Sequence, residues 1–194
     1  GDYASRLCVE TMVQSLEKSA HKTPVSLFEE AVTAANKAVF EESASHVEYE
    51  GMGTTVVACT LEENTLYIAN IGDSRLYLIR DGIEQITDDH SLVEEMVKQG
   101  NITEREARIH PQKNIITRAL GINEEVQADF FEIDVEQGDV IMLCSDGLSN
   151  MIEDEDMEYI VKNSDTLQTA AESLVARANE NGGNDNITVV LAEV

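Results

Sequence analysis

Residues 54–86 constrain the fold of this chain more than any other stretch, because they contain short segments with the composition of β-strands. Each segment is rich in Val, Ile, Thr and Tyr, residues that favour strands; the segments are 54–60, 65–70, 75–80 and 83–86. Turn-forming residues separate them, and the last separator, Asp81-Gly82, is typical of a tight hairpin. Strands joined by such short turns pair as antiparallel neighbours. The pattern therefore predicts an antiparallel meander.

Helical periodicity precedes this meander. Apolar residues near the start of the chain recur at intervals of three and four, which predicts an amphipathic helix; they are Ala4, Leu7, Cys8, Met12 and Leu16. A second helix is expected to begin at Pro24, with Thr23 as its cap, because proline is well accommodated in the first helical turn.

The second half of the chain mixes both patterns. A polar, helix-prone segment covers 91–108, and further helices are expected at 154–162 and 166–179. The apolar segments 133–144 and 187–194 are predicted strands. Because the strands follow one another through hairpins and the helices come in groups, we expect an α+β fold. Its antiparallel sheets are faced by helices, unlike a doubly wound parallel sheet.

The charge and the cysteines limit the partners and the compartment of the chain. The chain has 13 Lys and Arg against 38 Asp and Glu, a net charge of −25. Nucleic acids and anionic membranes bind to clustered cations, so we expect neither as a partner. Cys8, Cys59 and Cys144 lie in apolar segments and are expected to be buried free thiols. Free thiols, with no signal peptide and no apolar run of about 18 residues, predict a cytoplasmic protein.

Two aspartates stand where predicted strands end and begin. Asp146 follows the apolar segment 140–144, and Asp185 precedes the segment 187–194. If those strands are antiparallel neighbours, both carboxylates lie at one edge of a sheet and repel each other unless a cation lies between them. A hard divalent ion with oxygen ligands, such as Mg²⁺ or Mn²⁺, suits that position.

The same residues have a simpler interpretation. Asp-Gly and Gly-Asn-Asp-Asn are common turn sequences, because Asp, Asn and Gly each stabilise turns. From the spacing alone, turn formation and metal binding both stay open.

Six phrases occur in order along the chain, and together they carry a resemblance to a known family. The phrases are Gly51-Met52-Gly53-Thr54-Thr55, Asn70-Ile71-Gly72-Asp73-Ser74-Arg75, Asp89-His90-Ser91, Asn114-Ile115-Ile116-Thr117-Arg118-Ala119-Leu120-Gly121, Ser145-Asp146-Gly147-Leu148 and Asn184-Asp185-Asn186-Ile187-Thr188. In this order the chain closely resembles the bacterial type 2C metal-dependent protein serine/threonine phosphatases, from residue 1 to residue 194. Each phrase alone is weak evidence, whereas the ordered set is a strong signal.

The resemblance implies both a fold and a reaction. It implies two packed antiparallel β-sheets flanked by helices on both sides, an αββα sandwich, with two or three Mn²⁺ or Mg²⁺ ions at one end. It also implies that a metal-activated water hydrolyses phosphoserine and phosphothreonine in proteins that a serine/threonine kinase has phosphorylated. Metal ions lower the pKa of bound water and neutralise charge on the phosphoryl group, so no catalytic protein nucleophile is expected.

The resemblance also implies roles for individual residues. Asp146 matches the metal-bridging aspartate of the family's Ser-Asp-Gly phrase, and Asp185 matches the metal aspartate of its Asp-Asn phrase. Asp89 matches the aspartate that helps to hold a third, weaker metal ion. Residues 90–111 match a mobile flap beside the active site.

The chain departs from the family pattern at its start. Complete members begin with strands that carry an acidic residue, a phosphate-binding arginine and an Asp-Gly-Met-Gly-Gly-His phrase with further metal ligands. Residues 1–5 resemble the segment directly after that phrase, so residues 1–194 are expected to be a partial phosphatase domain that binds metal weakly and whose own activity is in question. The alternative is a non-catalytic phosphatase-like module with a regulatory or interaction role.

Other candidate residues have structural explanations. Gly72 and Asp73 are interpreted as turn residues, and Arg118 is expected to pair with a carboxylate rather than with phosphate. The acidic run 153–156 is expected at a helix N-terminus, which favours negative charge, and Cys144 is expected in the core. The histidines lack the spacing of zinc ligands and are interpreted as surface or structural residues: His21, His46, His90 and His110.

Overall fold

The structure is a computed structural model that describes residues 2–20 and 23–194. His21, which was predicted to be a surface or structural residue, lies outside these ranges. None of the described helices is both long enough and apolar enough to cross a membrane.

Helices and strands alternate in groups along the chain. The helices are α1 (Asp2–Lys18), α2 (Pro24–Ser45), α3 (Leu92–Lys98), α4 (Glu104–Arg108), α5 (Asp146–Ser149), α6 (Asp154–Lys162) and α7 (Leu167–Glu180). The strands are β1 (Val56–Glu62), β2 (Thr65–Ile71), β3 (Arg75–Ile79), β4 (Ile83–Gln85), β5 (Asp129–Asp134), β6 (Val140–Cys144) and β7 (Val189–Glu193). The chain divides into two compact units: unit 1 holds residues 1–72 and 90–133, and unit 2 holds residues 73–89 and 134–194.

Unit 1 contains a three-stranded sheet in the order β1-β2-β5, covered by α1 and α2. In the predicted apolar stripe of α1, Ala4, Cys8 and Met12 are buried, and Leu7 and Leu16 are half-buried against the same core. Helix α2 begins at Pro24 as predicted. Thr23 occupies the cap position of α2, although its side chain makes no capping hydrogen bond. The core combines the inner faces of both helices with β1, β2 and Leu120. Its other buried residues are Ala4, Cys8, Met12, Phe28, Ala31, Val32, Ala35, Val39, Val56, Ala69 and Ile71.

Unit 2 contains a four-stranded antiparallel sheet in the order β4-β3-β6-β7. The Asp81-Gly82 hairpin joins β3 to β4 as predicted, with the Arg80 N–H donating to the Gly82 carbonyl at 3.0 Å. Helices α5, α6 and α7 cover one face of this sheet, and the buried residues between them are Tyr77, Ile79, Met142, Cys144, Leu148, Ile152, Met157, Val161, Ala170, Leu174 and Ala178. Two antiparallel sheets flanked by helices confirm the predicted fold class.

The prediction of one strand over 133–144 is wrong. The structure has two strands there, and β5 belongs to the sheet of unit 1 whereas β6 belongs to the sheet of unit 2. A turn separates them, because Gly138 adopts a φ of 94° and the Asp139 carboxylate accepts the Glu136 N–H at 2.8 Å. Such left-handed backbone and side-chain capping end a strand.

Two of the three cysteines match their prediction. Cys8 and Cys144 are buried, whereas Cys59 is only half-buried on β1, and all three are free thiols.

Candidate metal centre

The two aspartates singled out from the sequence lie at the same end of the unit 2 sheet. Strands β6 and β7 are antiparallel neighbours, with Cys144 opposite Val189. Asp146 follows β6 by two residues, and Asp185 precedes β7 by four. The pairing on which the convergence of the two carboxylates depended is therefore confirmed.

Ser145 fixes the two segments that carry these aspartates. Its hydroxyl donates to the Asn186 carbonyl oxygen at 3.0 Å and accepts the Thr188 N–H at 3.0 Å. Its own N–H donates to the Thr188 carbonyl oxygen at 3.1 Å. The pairing of β6 with β7 is thus extended past the ends of both strands, up to Asp146 on one side and nearly to Asp185 on the other.

The surroundings of the Asp146 carboxylate disfavour its negative charge. It is the first residue of α5, and its Oδ2 accepts the side-chain amide of Asn150 at 3.2 Å. Burial raises the pKa of Asp146, and the negative charge of Asp185 raises it further. Asp185 is exposed, and its Oδ1 accepts the Asn186 N–H at 2.7 Å. A cation beside both carboxylates would relieve this repulsion.

Asp73 adds a third carboxylate to this end of the sheet. It precedes Arg75, the first residue of β3, and Arg75 lies opposite Cys144 at the end of β6. Burial raises the pKa of Asp73 to about 6, and the charges of Asp146 and Asp89 act in the same direction. The prediction of a turn is confirmed for both residues, because Gly72, with a φ of 104°, and Asp73 lie in the bend between β2 and β3. Asp73 could have been recognised as part of the site from its position just before β3, the strand that pairs with β6.

Asp89 is the fourth carboxylate at this end, and it has a cationic partner. The Arg75 guanidinium donates through Nε to Oδ1 at 2.9 Å and through Nη2 to Oδ2 at 2.7 Å. The Gln85 amide donates to Oδ1 at 3.0 Å. Sequence reasoning assigned no role to Arg75, because a basic residue at the start of a strand has no distinctive local pattern.

The oxygen ligands present fit part of a divalent-metal site. Mg²⁺ and Mn²⁺ prefer carboxylate oxygens, and the mutual repulsion of Asp146 and Asp185 favours a cation between them. Within residues 2–20 and 23–194, no three or more His, Cys, Asp or Glu side chains are grouped so as to hold a metal ion. Because an octahedral ion takes six ligands, the two aspartates supply only part of its coordination shell.

The candidates with structural explanations behave as predicted in unit 1. His90 Nδ1 accepts the Gly72 N–H at 2.9 Å, and its Nε2 donates to Asp129 Oδ2 at 3.0 Å. The Arg118 guanidinium donates to Asp129 Oδ1 at 2.6 Å, so Arg118 pairs with a carboxylate. His46 is exposed and His110 is half-buried.

In unit 2, the acidic run 153–156 and Cys144 also match their predictions. Helix α6 begins within the acidic run, with Asp154, Glu155 and Asp156 in its first turn. Cys144 is buried, and burial raises the pKa of its thiol to about 12, so it is an unreactive core residue.

Comparison with known proteins gives one consistent family. The protein phosphatase 2C family model matches residues 1–192. The serine/threonine phosphatase stp of Listeria monocytogenes is 38% identical over 198 aligned residues, which cover 100% of this chain and 79% of that protein. The crystal structure of the serine/threonine phosphatase Stp1 from Staphylococcus aureus superposes with a TM-score of 0.94 at 33% identity, covering 99% of this chain and 77% of that one.

A second similar structure contains metal. It is the catalytic domain of the serine/threonine protein phosphatase PstP in complex with two manganese ions. Its TM-score is 0.88 at 34% identity, and the alignment covers 100% of this chain and 81% of that one.

Proposed function

This chain belongs to the protein phosphatase 2C family, and we propose that Asp146 and Asp185 are the side chains with which it binds Mn²⁺ or Mg²⁺. The chain is a metal-dependent phosphatase that hydrolyses phosphoserine and phosphothreonine. The convergence of the two carboxylates beyond the paired ends of β6 and β7 carries this assignment of ligands. The relatives favour the enzyme over a non-catalytic phosphatase-like module.

The residues around the two aspartates orient them for this role. When bound, the metal ions supply a water of lowered pKa and positive charge beside the phosphoryl group. Ser145 ties the segment of Asp146 to that of Asp185 through Asn186 and Thr188. The side-chain amide of Asn150 donates to Oδ2 of Asp146 and so restrains the orientation of the carboxylate.

We assign Asp89 to the same centre as the ligand of a third ion. Its charge raises the pKa of Asp146 alongside the larger effects of burial and Asp185. It also raises the pKa of Asp73 alongside burial and Asp146. These effects show that the charge of Asp89 acts on both carboxylates, which supports its assignment to the same end of the sheet.

We also propose that residues 1–194 belong to a single phosphatase-like domain, because one family model matches residues 1–192. Within it, residues 90–111, which include α3 and α4, are proposed as a flap. Ile109 in this segment is 82% exposed, which suits contact with a phosphoprotein.

The substrates of this family are phosphorylated proteins, and we propose that a serine/threonine kinase produces those of this chain. We further propose that the chain acts in the cytoplasm and binds neither nucleic acid nor membrane. The net charge of −25 supports this, because both surfaces are anionic.

Metal binding and turnover test the ligand assignment. Mn²⁺ affinity is measured by electron paramagnetic resonance (EPR) and Mn²⁺-dependent hydrolysis with a phosphothreonine peptide, for the parent chain, Asp146→Asn and Asp185→Asn. We expect each substitution to weaken Mn²⁺ binding by about 100-fold or more, since even residues behind the ligands contribute about 10–100-fold.

The matched control is Asp156→Asn, which removes an exposed carboxylate from the first turn of α6. It should leave Mn²⁺ affinity unchanged. Parent-like Mn²⁺ affinity in both Asp146→Asn and Asp185→Asn would exclude these residues as ligands.

A further inference from the structure

Protein donors hold both oxygens of the Asp89 carboxylate. Arg75 Nε lies 2.9 Å from Oδ1 and 3.2 Å from Oδ2, and Arg75 Nη2 lies 2.7 Å from Oδ2. Gln85 Nε2 lies 3.0 Å from Oδ1. A carboxylate offers about four lone-pair sites, and these contacts come from three N–H groups, since the single Nε hydrogen of Arg75 is shared between both oxygens. A divalent ion that approaches Asp89 therefore meets the positively charged guanidinium of Arg75 at both oxygens.

The guanidinium that holds Asp89 is itself restrained. The side chains of Arg75 and Asp89 are 21% and 12% exposed, so water screens the pair weakly. Arg75 Nη1 donates to the Tyr77 hydroxyl at 2.9 Å, and Tyr77 is fully buried. A forked, charge-assisted contact of this kind is among the strongest hydrogen bonds in proteins.

Arg75 is also a fixed positive charge within the carboxylate group. Burial and the charge of Asp185 raise the pKa of Asp146, whereas the charge of Arg75 lowers it. Burial and the charges of Asp146 and Asp89 raise the pKa of Asp73, and Arg75 again opposes them. The guanidinium thus already performs part of the neutralisation that a metal ion would perform.

We propose that Arg75 is an internal competitor of the third metal ion. Its guanidinium holds the Asp89 carboxylate in place of a divalent cation, and metal binds at Asp89 only when Arg75 releases at least one carboxylate oxygen. Arg75 therefore sets the affinity of this site through direct hydrogen bonds, whereas at Asp146 it acts through its charge. The inference rests on the proposed function, since that assigns Asp89 to the metal centre.

A second forked ion pair in the same sheet provides a matched control. Arg80 donates through Nε to Asp139 Oδ1 at 2.8 Å and through Nη2 to Oδ2 at 2.6 Å. It follows β3, whereas Arg75 begins β3, so the two pairs lie at opposite ends of one strand.

Mn²⁺ binding by the whole chain tests the proposal. An EPR titration compares the parent with Arg75→Gln, Arg75→Lys and Arg80→Gln. Arg75→Gln should strengthen the weakest Mn²⁺ site by about tenfold or more, the equivalent of one lost charge-assisted hydrogen bond. Arg75→Lys, which keeps the charge and loses the fork, should give a smaller gain. Arg80→Gln should leave Mn²⁺ binding unchanged.

A double substitution locates the effect. Asp89→Asn in the Arg75→Gln background should abolish the gain, because the released carboxylate is then absent. If Arg75→Gln does not fold, Gln85→Leu replaces it: this variant removes a neutral donor from Oδ1, and a gain of a few-fold is expected. An unchanged or weakened site in the folded variant would overturn the proposal.

The ligand variants separate this failure from that of the proposed function. Asp146→Asn and Asp185→Asn report on the strong sites, whatever Arg75 does. If they weaken Mn²⁺ binding while Arg75→Gln does not strengthen the weak site, only the competition by Arg75 is wrong.

Discussion

Gly147 lies against the backbone of Asn186, and a Cβ at position 147 would be 2.9 Å from the Asn186 carbonyl carbon and still closer to its oxygen. It would also be 3.4 Å from the carbonyl carbon of Asp185. These are backbone atoms, which cannot rotate away as the end of a side chain can. The absence of a side chain at 147 is therefore what lets Asp146 and Asp185 approach each other.

Gly147→Ala should push the segment that carries Asp146 away from the segment that carries Asp185. Overpacking against backbone costs about 1–3 kcal/mol, so we expect a loss of that size in the free energy of unfolding, measured by urea denaturation. Mn²⁺ affinity, measured by EPR, should fall with it.

The control for this substitution is Gly82→Ala in the β3–β4 hairpin. No atom lies within 4 Å of the Cβ position at Gly82, so the change should stay within about 0.5 kcal/mol. Equal losses in the two variants would contradict a specific role for position 147.

Ser145→Ala should weaken the contact between the segments that carry Asp146 and Asp185, without adding atoms. It removes the donor to the Asn186 carbonyl and the acceptor for the Thr188 N–H, which should lower the free energy of unfolding by about 1–2 kcal/mol and weaken Mn²⁺ binding. Ser164→Ala is the comparison, because the Ser164 hydroxyl also donates to a carbonyl, that of Ile160. It should lose stability without losing Mn²⁺ affinity.

Stability in metal-free buffer should fall as Asp73 ionises. Burial raises the pKa of Asp73 from 3.8 to about 6, so between these pH values the folded chain binds a proton that the unfolded chain has released. This contribution is present below pH 3.8 and is lost as the pH rises through 6, a difference of about 3 kcal/mol at most.

The measurement is urea denaturation of the parent and Asp73→Asn between about pH 4 and pH 7, a window that brackets the shifted pKa. Relative to the parent, the variant should gain stability across this window and then level off. A constant difference between the two chains would show that the Asp73 carboxyl titrates normally.

His90→Ala should destabilise unit 1 by leaving a buried donor without its acceptor. Gly72 is buried and donates its N–H to His90 Nδ1, and an unsatisfied donor costs about 1–3 kcal/mol. His90→Asn keeps an acceptor near that position and should recover part of the loss in urea denaturation. Identical losses in both variants would show that the contact with Asp129 Oδ2, and not that with Gly72, is the stabilising one.

Features encoded locally could be predicted from the sequence. Helix α6 spans Asp154–Lys162 as predicted, because its acidic first turn and its apolar periodicity lie within a few residues of each other. The start of α2 at Pro24 was predictable for the same reason. The turn at Gly138 was not predicted, because the apolar residues on both sides of it have the pattern of one continuous strand.

The site required information that is not local. Asp146 and Asp185 lie at one end of a sheet only if the strands β6 and β7 pair. The pairing of Cys144 with Val189 shows that they do. The places of Asp73 and Arg75 depend on a second register, that of Arg75 with Cys144. Pairings between residues so far apart in sequence follow from the packing of whole strands, and no short pattern encodes them.

The fork of Arg75 on Asp89 ties the carboxylate to a cation that is part of the chain. A tethered group competes at an effective concentration set by its geometry, which is the same in every medium. Free Mn²⁺ and Mg²⁺, in contrast, vary with the surroundings. Under the proposed competition, metal occupancy at Asp89 follows the free concentration of Mn²⁺ or Mg²⁺, because the effective concentration of the competing guanidinium is constant.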